Sequence, residues 1–107
     1  MLYKFKSKAT GDVIMLEPNG RRVLELIGKD AGPKGIILPE QMPAAIDALE
    51  AAIAAEERQH QAMIEEAKAK GEVPPQFDQV SLRMRAVPFI DMLRRCSAAG
   101  RDIVWGV

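Results

Sequence analysis

The feature that most constrains this chain is a run of 28 residues, from 43 to 70, that has no glycine and no proline after its first position. Alanine is abundant in it, and the side chains suited to an inner helix face recur at intervals of three and four: Ile46, Leu49, Ile53, His60, Met63, Ile64 and Ala67. Gly71 and the residues 73–75 that follow end the pattern. The sequence therefore predicts one long helix over 43–70.

The length of this helix exceeds what one small core needs. At 1.5 Å per residue it spans about 42 Å, whereas a compact domain of this size has a diameter of roughly 34 Å. Its second half should project, leaving an apolar stripe to be covered by a later helix or by a second copy of the chain. We expect a homodimer, with the interaction surface formed by His60, Met63, Ile64 and Ala67.

The N-terminal segment predicts a hairpin. Residues 2–8 alternate, with Tyr3 and Phe5 on one side and three lysines on the other, which is the period of a half-buried strand. Residues 10–12 are typical of a turn, and residues 13–16 are apolar on both faces, as in a strand covered on both sides.

Residues 18–28 allow two structures. Pro18 at the first position and Gly28 just past the last are typical of helix boundaries, with Val23 and Leu24 facing inward. The pair Asn19-Gly20 is instead a strong hairpin-turn signal, which would make the segment a strand. The boundary residues favour the helix. A short strand at 35–38 and a single turn at 39–42 are expected next.

The C-terminal third contains a second ambiguity. Residues 80–86 alternate as a strand does, yet their apolar residues also fit a helical lead-in. Pro88 is expected to begin a helix over 88–99 that Gly100 ends, and 103–105 to form a strand. We thus predict one α+β domain over 1–107. Its N-terminal hairpin and C-terminal strand share a small single-layer sheet, covered by two or three helices.

Five segments carry a family resemblance: "MLYKFKSKATGDVIML", "LIGK", "GIILPEQMPAAIDALEAAI", "RMRAVPFIDMLRRC" and "IVWGV". Together they resemble a family of small bacterial proteins known only as a domain of unknown function. The resemblance covers nearly the whole chain and supports a single domain. It implies no activity, so no functional residue can be transferred from it.

Charge is balanced overall but not along the chain. Fifteen Lys and Arg cancel fifteen Asp and Glu, which gives no general attraction to nucleic acid or anionic membranes. Each end carries a net +3 and residues 40–72 carry −5. The acidic middle should therefore lie near the basic ends of the same chain or of a second copy. In an antiparallel helix pair, Glu56 and Glu57 would approach lysines 68 and 70 of the second copy.

The compartment is expected to be the cytoplasm. The chain has one cysteine, Cys96, so it cannot form an intrachain disulfide, which fits a reducing environment. The N-terminus lacks the long apolar run of a signal peptide. No apolar stretch approaches the ~20 residues of a membrane span.

Nucleic-acid binding is the alternative function to consider. The candidate residues are a row of strand lysines and a group of C-terminal arginines that could hold phosphates if they met in space: Lys4, Lys6, Lys8, Arg83, Arg85, Arg94, Arg95 and Arg101. A solvated strand face, which also protects against edge-to-edge aggregation, is the competing interpretation and the one we favour.

An enzyme is the least favoured class. Glu57 and His60 have the Glu-x-x-His spacing of helical di-metal sites, but such sites need two such pairs and two further glutamates, and this chain has one histidine. A second chain would have to complete the site. Cys96 lies on an apolar helix face and has no base beside it in the sequence. We expect no cofactor and no metal, and a non-catalytic protein-interaction or self-associating module.

Overall fold

The computed structural model describes residues 2–77 and 81–106. These residues form an α+β fold with three helices, one of them long, which confirms the predicted class. In chain order the elements are β1 (Leu2–Phe5), β2 (Val13–Leu16), α1 (Glu17–Leu26), β3 (Gly35–Ile37), a 3₁₀ turn (Pro39–Gln41), α2 (Met42–Ala69), α3 (Leu82–Ala99) and β4 (Ile103–Trp105).

The strands form two antiparallel pairs, where a single sheet was predicted. β1 pairs with β2, so that Leu2 lies opposite Leu16, and β3 pairs with β4. The pairs meet where Lys6 and Val104 exchange backbone hydrogen bonds of 2.8 and 2.9 Å. β4 thus reaches the hairpin through the pair of Lys6 and Val104, and Lys6 lies just beyond the end of β1.

The core lies on one side of both strand pairs. Their inner residues are buried together with α1, α2 and α3: Tyr3, Phe5, Met15, Ile37, Ile103 and Trp105. The ring of Phe5 is at the centre, with ring centroids 4.6 Å from Phe89 and 5.9 Å from Trp105. The expectation that β2 is covered on both sides is wrong, because Ile14 and Leu16 are 55% and 62% exposed.

The helical alternative for residues 18–28 is confirmed. Gly28 has φ 80° and follows the C-cap, as expected. Gly20 is required by packing and not by a turn. A Cβ at this position would lie 2.5 Å from Cδ2 of Tyr3. The helix and β1 can approach this closely only because residue 20 has no side chain.

α3 begins six residues before the predicted start. Ser81 caps it, its Oγ accepting a hydrogen bond from the amide of Met84 at 3.2 Å. Pro88 lies inside the helix, so the prediction that it begins the helix is wrong, and 82–86 is helical, not a strand. Val80, where that alternative strand would begin, lies outside the described residues. Burial of Leu82 and Ala86 outweighs the hydrogen bond lost at exposed Pro88.

α2 and α3 pack antiparallel, and α2 projects beyond the start of α3. Glu50 of α2 contacts Arg94 near the end of α3, and Glu57 contacts Arg83 at its start. Residues 58–69 therefore extend past that end. The principal extents of 52 × 28 × 22 Å and the radius of gyration of 16.0 Å reflect this projection, since a compact chain of this length has about 13 Å.

Candidate functional site

Glu57 and His60, whose spacing was considered above as that of a metal site, have other partners in the fold. The Glu57 carboxylate accepts two hydrogen bonds from Arg83, 2.9 Å from Nε and 2.7 Å from Nη2. The His60 ring stacks on Phe77 with centroids 3.8 Å apart and an angle of 10° between the planes. Within residues 2–77 and 81–106, no three His, Cys, Asp or Glu side chains are grouped so that they could hold a metal.

The neighbouring Glu56 joins three helices. One carboxylate oxygen accepts a hydrogen bond from Arg22 of α1 at 3.1 Å, and the other accepts from the backbone amide of Leu82 at 3.1 Å. A carboxylate at a helix N-terminus is favoured by the helix dipole and satisfies an otherwise unpaired amide. The acidic middle of the sequence is thus paired with both basic ends within one chain.

The Glu57–Arg83 pair provides a test by pH titration. Hydrogen bonds from Arg83, together with its positive charge, lower the pKa of the Glu57 carboxyl, and the same hydrogen bonds raise the pKa of Arg83. Because the folded-state pKa is lowered, the stabilisation is present above the unfolded pKa and is lost as pH falls through the folded pKa. In R83Q we expect the titration of Glu57, followed by NMR of its side-chain carboxyl carbon, to move up towards the ordinary glutamate range.

R95Q is the control for this titration. It removes the Arg95–Asp91 ion pair, which lies within α3, and should leave Glu57 unchanged. Equal midpoints for Glu57 in R83Q and in the unsubstituted protein would show that the two hydrogen bonds do not hold in solution.

The basic residues of the nucleic-acid hypothesis are only partly brought together. The four arginines of α3 are engaged within the chain: Arg83 with Glu57, Arg85 with Asn19, Arg94 with Glu50 and Arg95 with Asp91. Arg101 is the member of that group that meets the lysines. It lines a cleft of about 610 Å³ with Lys6 and Lys8.

This basic cleft combines three parts of the chain. Lys6 and Lys8 follow β1, Asp12 precedes β2 in the hairpin connection, and Arg101 and Asp102 come from the α3–β4 turn. Two carboxylates therefore accompany three cations. Among the described residues, none of the three cations forms an ion pair, in contrast to Arg22, Arg83 and Arg94.

The apolar stripe proposed for dimerisation is partly covered by the chain's own connector. Ala67 is 7% exposed and the amide of Glu72 donates to its carbonyl at 2.8 Å. His60 is half-buried beneath Phe77, and Ile64 is half-buried. Met63 remains 40% exposed, in a groove also lined by Val73 and Pro75. Positions 78 and 79 of the connector lie outside the described residues, and the homodimer stays a prediction.

A second apolar surface, more exposed than the stripe on α2, was not predicted from the sequence. It is the outer face of the hairpin, formed by Leu2, Lys4, Ile14 and Leu16. Leu2 lies opposite Leu16, Lys4 lies opposite Ile14, and the three apolar side chains are 55–62% exposed. The signal for it was present: residues 13–16 are apolar on both faces, although the core can use only one of them.

Comparison with known proteins gives the chain its family. A family model described as a domain of unknown function, DUF1840, matches residues 1–105. The chain belongs to the DUF1840 family. The DUF1840 match includes every element from β1 to β4. No curated protein and no solved structure has significant similarity to this DUF1840 chain. In the described part of the DUF1840 fold, none of the helices combines the length and apolar character needed to cross a membrane.

Proposed function

We propose that the protein is a non-catalytic interaction module that binds a short segment of another protein on the outer face of the hairpin. The observation that supports this most directly is the exposure of Leu2, Ile14 and Leu16 on one side of two paired strands. Contiguous exposed apolar side chains of this kind mark interaction sites more often than isolated ones do.

The size of the outer face supports a short segment over a second copy of the chain. Each strand of the hairpin has four residues, so the face measures roughly 13 by 10 Å. A stable dimer buries about 800 Å² on each partner, several times more than this face offers. A single extended or helical segment matches its dimensions.

The charge on the outer face also opposes self-association through it. Lys4 lies in the middle of the face, directly opposite Ile14. Two copies stacked on this face about a two-fold axis would bring their Lys4 side chains into the same small apolar contact, where like charges are costly. A partner that supplies a carboxylate has no such cost.

The proposal can be tested by placing a photo-crosslinking amino acid at position 16 in cells that express the protein naturally. A protein that is captured by the crosslinker at position 16, but not by the same crosslinker at position 84, would then be purified. Its affinity for the unsubstituted chain and for the variants would be measured directly. We expect I14T/L16T to bind it at least about tenfold more weakly, because the substitutions remove apolar surface while keeping side chains suited to a strand.

M84T is the matched control, because Met84, at 61%, is about as exposed as Leu16, at 62%, and belongs to α3 and not to the two strands of the hairpin. It should bind the partner as the unsubstituted protein does. Equal affinity for I14T/L16T and M84T would contradict the proposal. Light scattering would also contradict it if the unsubstituted protein were a dimer and I14T/L16T a monomer, because a second copy of the chain would then bind the outer face.

A further inference from the structure

We infer that the segment bound on the outer face carries a cluster of carboxylates, which the basic cleft holds beside the apolar contact. This inference rests on the proposed function and specifies the chemistry of the partner. Its basis is that the apolar outer face and the three unpaired cations of the cleft belong to one continuous surface.

The outward row of β1 provides that continuity. Leu2 and Lys4 alternate with the buried Tyr3 and Phe5, and the next residue in this row is Lys6, which lines the cleft. Val104, paired with Lys6, also lines the cleft. The surface therefore changes from apolar to basic along β1 and the residue that follows it.

The charges of the cleft are available to a ligand. Asp12 and Asp102 line it, but no ion pair joins them to Lys6, Lys8 or Arg101 among the described residues. Several other cations of the chain do have a carboxylate against them, as Arg22 has Glu56. The cleft holds three cations and two carboxylates, so it keeps a net positive charge that a partner's carboxylates would neutralise.

The geometry also sets the spacing within the partner. From Leu2 to Lys6 the row covers four residue steps, or about 14 Å. A segment lying along it should place its carboxylates that far from its apolar residues. This corresponds to roughly four residues in an extended segment or about nine in a helix.

Selection of a phage-displayed library of random 16-residue peptides against the full chain tests this inference. We expect the selected peptides to combine apolar residues with a cluster of Asp or Glu. Their affinity, measured by fluorescence polarisation at low salt, should fall at least about tenfold in K6Q/K8Q/R101Q, and added salt should weaken binding to the unsubstituted protein.

K29Q/R58Q/K68Q is the control, since it removes the same number and type of charges outside the cleft. It should change affinity less than about twofold. Two results would overturn this inference alone. The selected peptides could lack acidic residues, or they could bind K6Q/K8Q/R101Q and K29Q/R58Q/K68Q equally well while binding I14T/L16T more weakly. Failure to select any peptide, or selected peptides that bind I14T/L16T unchanged, would overturn the proposed function with it.

Discussion

Replacing Phe5 by alanine is expected to lower the free energy of unfolding by about 3–5 kcal/mol. The side chain is fully buried and its ring packs against those of Tyr3, Phe89 and Trp105. It therefore joins β1 to α3 and β4 at once, and its removal leaves a cavity that these rigid rings cannot easily fill. A loss of this size is a large part of the 5–15 kcal/mol that stabilises a typical domain.

Urea denaturation followed by circular dichroism measures this loss, and F77A is the control. Phe77 is also aromatic, but it is half-buried and packs on His60 at the projecting end of α2. F77A should cost clearly less than F5A, because its site is open to solvent on one side. A similar cost for both variants would show that the core is not centred on Phe5.

Replacing Gly20 by alanine should lower the free energy of unfolding by about 1–3 kcal/mol. In an open helix the same change stabilises by about 1 kcal/mol, so the expected sign is reversed. The reason is that the new Cβ would lie 2.5 to 2.8 Å from three side-chain carbons of Tyr3. That ring cannot move freely, because its hydroxyl donates a hydrogen bond of 2.8 Å to the carbonyl of Ala31.

G11A separates this effect from a general effect of removing glycine. A Cβ at Gly11 meets no atom within 4 Å, so the control should have nearly unchanged stability in the same urea denaturation experiment. An unfolding free energy for G20A equal to or above that of the unsubstituted protein would mean that α1 moves away from β1 at little cost.

The parts of the fold that depend on local pattern were predictable from the sequence. α2 was predicted to within one residue at each end, because nothing breaks its period. α1 was favoured by Pro18 and Gly28, whose effects act within one turn. The start of α3 does not follow from local pattern, because a proline such as Pro88 is typical of a first helical turn. The helix extends back to its cap at Ser81 because Leu82 and Ala86 are buried in the folded chain.

The parts that depend on distant contacts were not predictable in this way. Glu57 meets Arg83 and Glu56 meets Leu82 across 26 positions of sequence, which only the antiparallel packing of α2 and α3 brings about. From spacing alone, Glu57 could be grouped only with His60. Likewise, the exposure of Ile14 and Leu16 follows from all three helices lying on one side, which the composition of β2 does not reveal.

The backbone pairing of Lys6 with Val104 has a consequence for how the chain is made. It closes a loop of nearly the whole sequence, and Ile103 and Trp105 enter the same core as Tyr3 and Phe5. During synthesis the hairpin therefore emerges from the ribosome long before the residues that complete its packing. Until β4 has been translated, Tyr3 and Phe5 lack the side chains of β4 that pack against them. Both faces of the nascent hairpin then expose apolar side chains to other molecules in the cell.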